Sequence, residues 1–335
     1  MPGIGVISNR NARVNRLKPG LKDQLAFIVG SNGEVSSTGK LSDVTKALET
    51  FRRIGVDMIA ISGGDGTSHK TIEIVLSVYQ NQPPPPILLL PTGTQNMIPR
   101  SFGIAGNGLS TLLLAIARYQ HNVPMRCIKR NILKVNEHHS FMFGCGTAAR
   151  FMIPYYESGE TNPIGAAKMM FSYSMDALRG GEKSAKISAP IEMEMTLDDG
   201  DVEKHHGVHT FFCSFVERLP LHFVLFPRAG RDEGVFEIAY TSATPAHFAK
   251  ALPYVLMGTS RSIKNVNRRL ARKLKLRFSK PEPYTLDGDL YDPCDSFDIS
   301  AGPELLFVVP DLKLGAENPN LRYEEIGPWG MRYLL

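Results

Sequence analysis

The sequence predicts an α/β protein, with an amino-terminal open parallel-sheet domain and a β-rich, sandwich-like carboxy-terminal domain. Two observations carry this prediction. Up to Pro124, short apolar runs alternate with segments of helical period, and polar turns follow the runs as βα units require. From Met125 onward, strand patterns dominate, which points to packed sheets rather than a second βα series.

Taken in order, Ile4 to Ser8 is a strand candidate and Leu25 to Val29 another, while the polar stretch Gly30 to Ser42 reads as a loop. Val44, Ala47, Leu48 and Phe51 recur at helical spacing, with Asp43 placed as N-cap. Val56 to Ile61 is nearly continuous apolar chain, as a central parallel strand demands. Ile72, Val75, Leu76 and Tyr79 return to the helical period. Pro83 to Pro86 cannot continue that helix, and Ile87 to Leu90 forms the next strand. Leu109 to Tyr119 predicts a further helix.

Beyond Pro124 the strand candidates are Cys127–Val135, Ser140–Phe143, Ile191–Leu197, Val208–Phe215, Val235–Tyr240 and Leu305–Val309. Arg272 to Phe278 alternates strictly, with Leu274, Leu276 and Phe278 on one face and Lys273, Lys275 and Arg277 on the other. Helices are expected over Ile164–Leu178 and roughly His247–Leu256. The expected division is residues 1–124, residues 125–310 and a tail, 311–335, that packs back onto the body or caps it.

Composition agrees with two folded domains. The chain has 335 residues, of which 43% are hydrophobic and 21% charged, so a disordered protein is excluded. Cys127, Cys145, Cys213 and Cys294 are far apart and fit a reducing compartment better than a disulfide scaffold. The amino end does not read as a secretory signal, because its short apolar stretch precedes its basic residues. No run approaches the ~18 apolar residues of a membrane span. A cytoplasmic protein is expected, with peripheral contact at the inner membrane surface left open. The net charge of +5 permits anionic partners without choosing among them.

Chemistry concentrates in three turns. Gly63-Gly64-Asp65-Gly66-Thr67 follows a strand, and its glycines let a phosphate reach the main chain without meeting a side chain. An aspartate inside that turn suits phosphate only with a cation such as Mg²⁺ between them. A purely structural glycine turn stands about level with this reading. The motif lacks the GxxxxGK of a P-loop and the GxGxxG of a dinucleotide fold. Pro91-Thr92-Gly93-Thr94-Gln95-Asn96, one strand later, adds hydroxyls and amides that donate to phosphates or base edges. Asp287-Gly288-Asp289 is either a tight hairpin turn or a source of carboxylate for acid–base work.

Together these three turns resemble the motifs of the diacylglycerol kinase catalytic-domain family, which includes sphingosine and ceramide kinases and bacterial soluble lipid kinases. Gly63 to Thr67 matches the family's GGDGT, Pro91 to Asn96 its P-x-G-T-x-N loop, and Asp287 to Asp289 approximates its DGE, in the same order over residues 3 to 310. The resemblance implies ATP between an α/β nucleotide-binding domain and a β-rich lipid-substrate domain. It implies nucleotide contacts from Asn9, Gly64, Asp65, Gly66, Thr67, Thr92, Gly93, Thr94 and Asn96. Asp65 and Asp289 are then the catalytic and magnesium-side carboxylates. The chain departs from the pattern at Arg10 for proline, Asp289 for glutamate, Met97 for aspartate and Glu233-Gly234 for Asp-Gly, where some relatives bind a structural magnesium.

The expected activity is ATP-dependent phosphorylation of a lipid hydroxyl on diacylglycerol or a similar amphiphile. NAD kinase-like phosphorylation of a soluble dinucleotide and non-enzymatic nucleotide or lipid sensing are the alternatives. The basic run from Arg261 to Lys280 reads first as a solvated strand face and second as a contact for anionic membrane. Nucleic-acid partners are not expected, because no recognition motif accompanies the charge. His205, His206 and His209 lack a cysteine pair and read as a polar hairpin. Cys145 has no local base and reads as a small buried residue.

Overall fold

The computed structural model describes residues 3–10, 12, 20–93, 96–104, 106–159, 163–218, 224–244, 246–247, 249–250, 266–310 and 321–327. They fall into two compact units, one within Met1–Arg130 and Glu304–Leu335, the other within Asn131–Pro303.

The first unit is an open α/β sheet. Strands β1 (Ile4–Asn9), β2 (Gly33–Thr38), β3 (Met58–Gly63) and β4 (Ile87–Pro91) are all parallel, in the order β4-β3-β1-β2. Helices α1 (Leu21–Val29), α2 (Leu41–Ile54), α3 (Asp65–Val78), α4 (Met97–Ser101) and α5 (Gly108–Gln120) complete the βα series. Alternate strand residues serve opposite faces. Ile4, Val6, Met58, Ala60, Leu88 and Leu90 share a core with Leu25 of α1 and Leu112 of α5. On the other face Phe51 of α2 lies so close over Gly5 that a Cβ there would come within 2.5 Å of its ring. Each fully buried side chain of this kind contributes on the order of 2 kcal/mol.

Several expectations change here. Leu25–Val29 is helix, not strand: Leu21, Leu25 and Val29 are buried at fourfold spacing, whereas Phe27 is 88% exposed. The stretch from Gly30 to Ser42 is not a loop, since β2 occupies its centre, with Val35 beside Val6. As a polar strand at the end of the order, β2 needs no continuous apolar run. Asp43 is not the N-cap of α2. Lys40 is, and the Asp43 carboxylate reaches back to accept N–H from Gly39 and Lys40, each at 3.0 Å. These donors hold the Asp43 carboxyl below its ordinary range. Helix α4 was not anticipated.

Strand β5 (Met125–Val135) pairs antiparallel with β15 (Arg322–Ile326), so this part of the carboxy-terminal tail packs on the first unit. The end of β14 (Asp289–Val309) joins the same sheet, placing Phe307 beside Ile87.

The second unit is built on antiparallel strands β6 (His138–Ser140), β7 (Met142–Gly146), β8 (Ile191–Leu197), β9 (Val202–Val208), β10 (Thr210–Ser214), β11 (Phe236–Thr241), β12 (Val266–Ala271) and β13 (Lys273–Leu286), with β14 alongside β13. One arm runs β12-β11-β10-β7-β13-β14. The other runs β9-β8-β13. β13 serves both, pairing with β8 through Leu274–Phe278 and with β7 through Tyr284–Leu286. Pro281 and Pro283, which cannot donate to a ladder, lie between these two stretches, where the register against β14 also shifts. Met193, Phe143, Phe211, Phe236, Leu276 and Phe297 share one core across both arms.

Among the described residues, helices α6 (Thr147–Glu157), α7 (Pro163–Leu178) and α8 (Glu182–Ile187) pack in this unit. Only α7 is legible from apolar spacing. The expected strands Ser140–Phe143 and Val208–Phe215 are each broken, at Phe141 and His209, because both residues lie between separate ladders. Most of the expected helix at His247–Leu256 lies outside the described residues.

Candidate active site

Strand order creates the site. The chain steps from β1 outward to β2, then returns past β1 to β3, so the β1–β3 junction is a topological switch point where open sheets take ligands. Asn9 ends β1 there, and its Nδ2 donates to Thr67 Oγ1 at 2.9 Å.

Gly63 closes β3 and Gly64 is the N-cap of α3. A Cβ on Gly63 would lie 2.4 Å from Thr67 Cβ, so the strand turns into the helix too tightly for a side chain. Ser68 returns both its N–H and its hydroxyl to Gly64 O, at 3.0 and 3.2 Å. Gly66 and Thr67 sit in the first turn of α3, whose amino end carries partial positive charge.

The turn after β4 packs directly on this one. Thr92 Oγ1 donates to Gly63 O at 3.3 Å and lies 3.3 Å from Ser62 Oγ. A Cβ on Gly93 would come within 2.4 Å of Gly64 Cα, so the two backbones touch with no side chain between them. Asn96 closes its own loop: Oδ1 accepts from Gly93 N at 2.8 Å and Nδ2 donates to Gly93 O at 2.9 Å. Its backbone is left-handed, with φ 49°, a conformation asparagine tolerates.

Asp65 ties the turns together. Its Oδ2 accepts the N–H of Met97 and its Oδ1 that of Ile98, both at 3.0 Å. Burial pushes its carboxyl above the ordinary range, opposed by the Ile98 and Met97 donors and by the charge of Arg100. Sequence alone does not reveal this brace, because the acceptors' partners are main-chain atoms.

Asn9, Gly64, Asp65, Gly66, Thr67, Thr92, Gly93 and Asn96 thus belong to one connected assembly in the first unit. Thr94 lies outside the described residues. Asp289 belongs to the second unit.

In that unit Asp287 and Gly288, with φ 51° and 95°, form the two-residue turn between β13 and β14. Asp287 is buried and accepts N–H groups from Phe141, at 3.0 Å, and Met142, at 2.9 Å. Asp289 opens β14. Tyr156 of α6, which sequence reasoning missed, donates its hydroxyl to Gly288 O at 2.7 Å. Burial and the neighbouring Asp289 charge push its phenol up to about 12. A second missed feature is the ion pair of Arg150 and Glu282, in which one guanidinium nitrogen lies 2.8 and 2.6 Å from the two carboxylate oxygens.

The weaker leads resolve into structural contacts. His206 pairs with Glu192, His205 stacks edge-on against Tyr240, and His209 meets Ser188 O. Cys145 is fully buried, which pushes its thiol well up. Glu237 is buried and accepts the Arg228 N–H at 2.7 Å, and Arg272 donates to Glu233 O at 2.8 Å, so arginines hold the stretch around Glu233-Gly234. Among the described residues no group of three or more His, Cys, Asp and Glu is placed to hold a metal ion.

Much of the basic run is matched internally. Arg269 grips Glu203 with two bonds of 3.1 Å, Lys273 meets Asp199 at 3.0 Å, and Arg268 donates to Leu225 O. Lys275 stands opposite Asp298, and Arg277 opposite Glu194. Arg261 and Lys264 lie outside the described residues.

Residues 5–128 match the diacylglycerol kinase catalytic domain family. Three solved structures from Bacillus anthracis str. Sterne, each assigned as a diacylglycerol kinase, share the fold. One is 18% identical with a TM-score of 0.62, covering 89% of this chain and 93% of its own. A second is 16% identical with a TM-score of 0.59, covering 92% and 97%. The third is 16% identical with a TM-score of 0.62, covering 91% and 97%. No curated protein matches by sequence. The fold is that of an α/β protein whose residues 5–128 are similar to a diacylglycerol kinase catalytic domain. The match over residues 5–128 supports an assignment to the diacylglycerol-kinase-like family, and the solved structures support the fold.

Proposed function

We propose that this chain is an ATP-dependent lipid kinase, transferring the γ-phosphoryl group to a hydroxyl of diacylglycerol or a similar amphiphile. The bare contact of Gly64 with Gly93 carries the reading. Two main chains meet at a switch point beside a helix amino end, and phosphate approaches such a surface closely.

In this reading Asn9, Gly64, Gly66, Thr67, Thr92, Gly93, Thr94 and Asn96 hold the nucleotide. Asp65 fixes the two turns against one another and, with Asp289, is a candidate magnesium carboxylate. Each Asp65 oxygen already accepts one backbone donor, which fits an ion arriving with phosphates rather than one held by a protein cage. Bound magnesium supplies neutralisation of phosphate charge. Asp289 takes the proton of the lipid hydroxyl as that oxygen bonds to the γ-phosphorus and the bond from that phosphorus to the bridging oxygen breaks, the oxygen leaving on ADP. The β-rich unit, whose arms share a core as in a sandwich, is the acceptor domain.

The test is transfer of labelled γ-phosphate to a panel of diacylglycerols, monoacylglycerols, sphingoid bases, ceramides and NAD. Label in a lipid supports the proposal. Label only in the dinucleotide would replace it with an NAD kinase-like activity, and ATP binding without any transfer would leave a sensor.

A further inference from the structure

Helix α6 is fastened to β13 and its turn at two places. Near the start of the helix, one guanidinium nitrogen of Arg150 lies 2.8 and 2.6 Å from the two oxygens of Glu282. The other donates to Ala189 O, just ahead of β8. Near its end, Tyr156 donates to Gly288 O at 2.7 Å. The strand between these points has a weak place. Pro281 and Pro283 bring no N–H to the ladder, and the register against β14 shifts on both sides of Glu282. Across the same residue β13 changes neighbour from β8 to β7. Backbone pairing is thus interrupted around Glu282, and its side chain sets where the strand resumes toward Asp287, Gly288 and Asp289.

The side chains of Arg150 and Glu282 are only 16% and 11% exposed. Burial chiefly raises the Cys145 thiol, the Glu282 charge adds to this and the Arg150 charge opposes it, so both charges stand beside the apolar core. A charged pair in such a place adds little stability over apolar side chains of similar volume, because desolvation offsets the attraction. What it adds is direction: a planar guanidinium held by two acceptors fixes how α6 lies on β13. We propose that Arg150 and Glu282 are a positioning pair, which sets α6 so that Tyr156 meets Gly288 and the Asp289 carboxylate is aimed at the acceptor hydroxyl. Both act through Tyr156 and the turn before Asp289, not on a reactant. The aim at a hydroxyl rests on the lipid-kinase reading, whereas the control of the turn does not.

The full chain is tested with two readouts. Arg150→Met/Glu282→Leu removes both charges and keeps apolar volume, so it should melt close to the unaltered chain. Either change alone strands a buried charge and should melt lower. The first readout is the Tyr156 phenol titration, followed by carbon-13 NMR of labelled tyrosine. Burial, the Asp289 charge and Tyr155 hold this phenol up at about 12. In the double variant it should fall toward the ordinary 10.0 and stop responding to Asp289→Asn. The second readout is γ-phosphate transfer to a soluble short-chain diacylglycerol, where kcat should fall roughly tenfold with KM for ATP unchanged. A double variant that keeps the raised phenol and its response to Asp289 overturns the proposal, and so does full kcat with the shift lost. If the double variant does not fold, Arg150→Lys decides by the same titration, since one ammonium lacks the fork that spans Glu282 and Ala189; an unchanged phenol there overturns the proposal. Loss of the shift in a chain that phosphorylates no lipid would sink the kinase reading and leave the control of the turn standing.

Discussion

The Asp65 carboxylate accepts the backbone N–H of Met97 at 3.0 Å, and its second oxygen does the same for Ile98. The aspartate of the glycine-rich turn therefore holds the start of α4, thirty-odd residues later, against the start of α3. Any role toward magnesium is added to that brace and does not replace it.

Asp65→Asn should therefore affect the fold as well as ligand binding. The amide keeps one acceptor and turns an NH₂ toward a main-chain N–H, at a cost of roughly 1–3 kcal/mol. Urea unfolding should report this loss, and ATP affinity should fall with it. A melting curve like that of the unaltered chain would count against the brace.

The same carboxyl predicts a pH dependence. Its folded pKa is raised by burial, so the native state binds the proton more tightly than the unfolded chain. Its contribution is fully present below the ordinary carboxyl value of 3.8 and is lost as pH rises through the raised value. The stability of the unaltered chain relative to Asp65→Asn should thus improve as pH is lowered through that window. Parallel stability curves for the two proteins would refute it.

Gly64→Ala and Gly93→Ala separate packing from ligand approach. A Cβ on Gly93 collides with Gly64 Cα at 2.4 Å, so Gly93→Ala should cost about 1–3 kcal/mol of stability. A Cβ on Gly64 meets only Gly93 Cα at 3.5 Å, and its φ of −89° suits any residue. Gly64→Ala should therefore melt normally yet bind ATP at least about tenfold more weakly, because the methyl stands where the proposed site brings phosphate to the main chain. Normal ATP affinity in this variant would remove the phosphate from the turn.

These contrasts also mark what a sequence can reveal. The parallel strands β1, β3 and β4 are legible because burial on both faces demands continuous apolar runs. β2 is not, because at the end of the strand order hydrogen bonds to β1 suffice without hydrophobic patterning. Leu25–Val29 misleads for a related reason, since five apolar residues fit either period until Leu21 is included. The glycine-rich turns are legible because glycine and threonine spacing survives in linear order. The partners of Asp65, Asp287 and Tyr156 are backbone atoms of distant segments, and no residue type announces them.

Asp287 and Asp289 should part company under substitution. Asp287 is buried on the Phe141 and Met142 amides, so Asp287→Asn should destabilise the chain by roughly 1–3 kcal/mol. Asp289 is half-buried at the start of β14, and Asp289→Asn should keep the fold. Its loss should instead appear in single-turnover transfer, with Asp289→Glu as the charge-preserving control. Fast single-turnover chemistry in Asp289→Asn would exclude Asp289 as the proton acceptor.

Tyr156 supplies the remaining test, because its contact lies one residue from the proposed base. Its hydroxyl holds the Gly288 carbonyl at 2.7 Å, and the Asp289 charge helps to raise its phenol to about 12. Tyr156→Phe keeps the ring and removes that hydrogen bond, so the turn before Asp289 loses a tether while the glycine-rich turns of the first unit keep their contacts. The expected result is a fall in kcat of roughly tenfold with an unchanged KM for ATP, in keeping with a positioning residue. Stability should drop by about 1 kcal/mol, the ordinary worth of one hydrogen bond. The diagnostic measurement is the phenol titration followed by carbon-13 NMR of labelled tyrosine. Asp289→Asn should lower the Tyr156 value, because it removes the neighbouring negative charge. Asp289→Glu should preserve the raised value. If kcat is unchanged in Tyr156→Phe and its titration ignores Asp289, the two side chains do not act on one another and the turn is set by β13 and β14 alone.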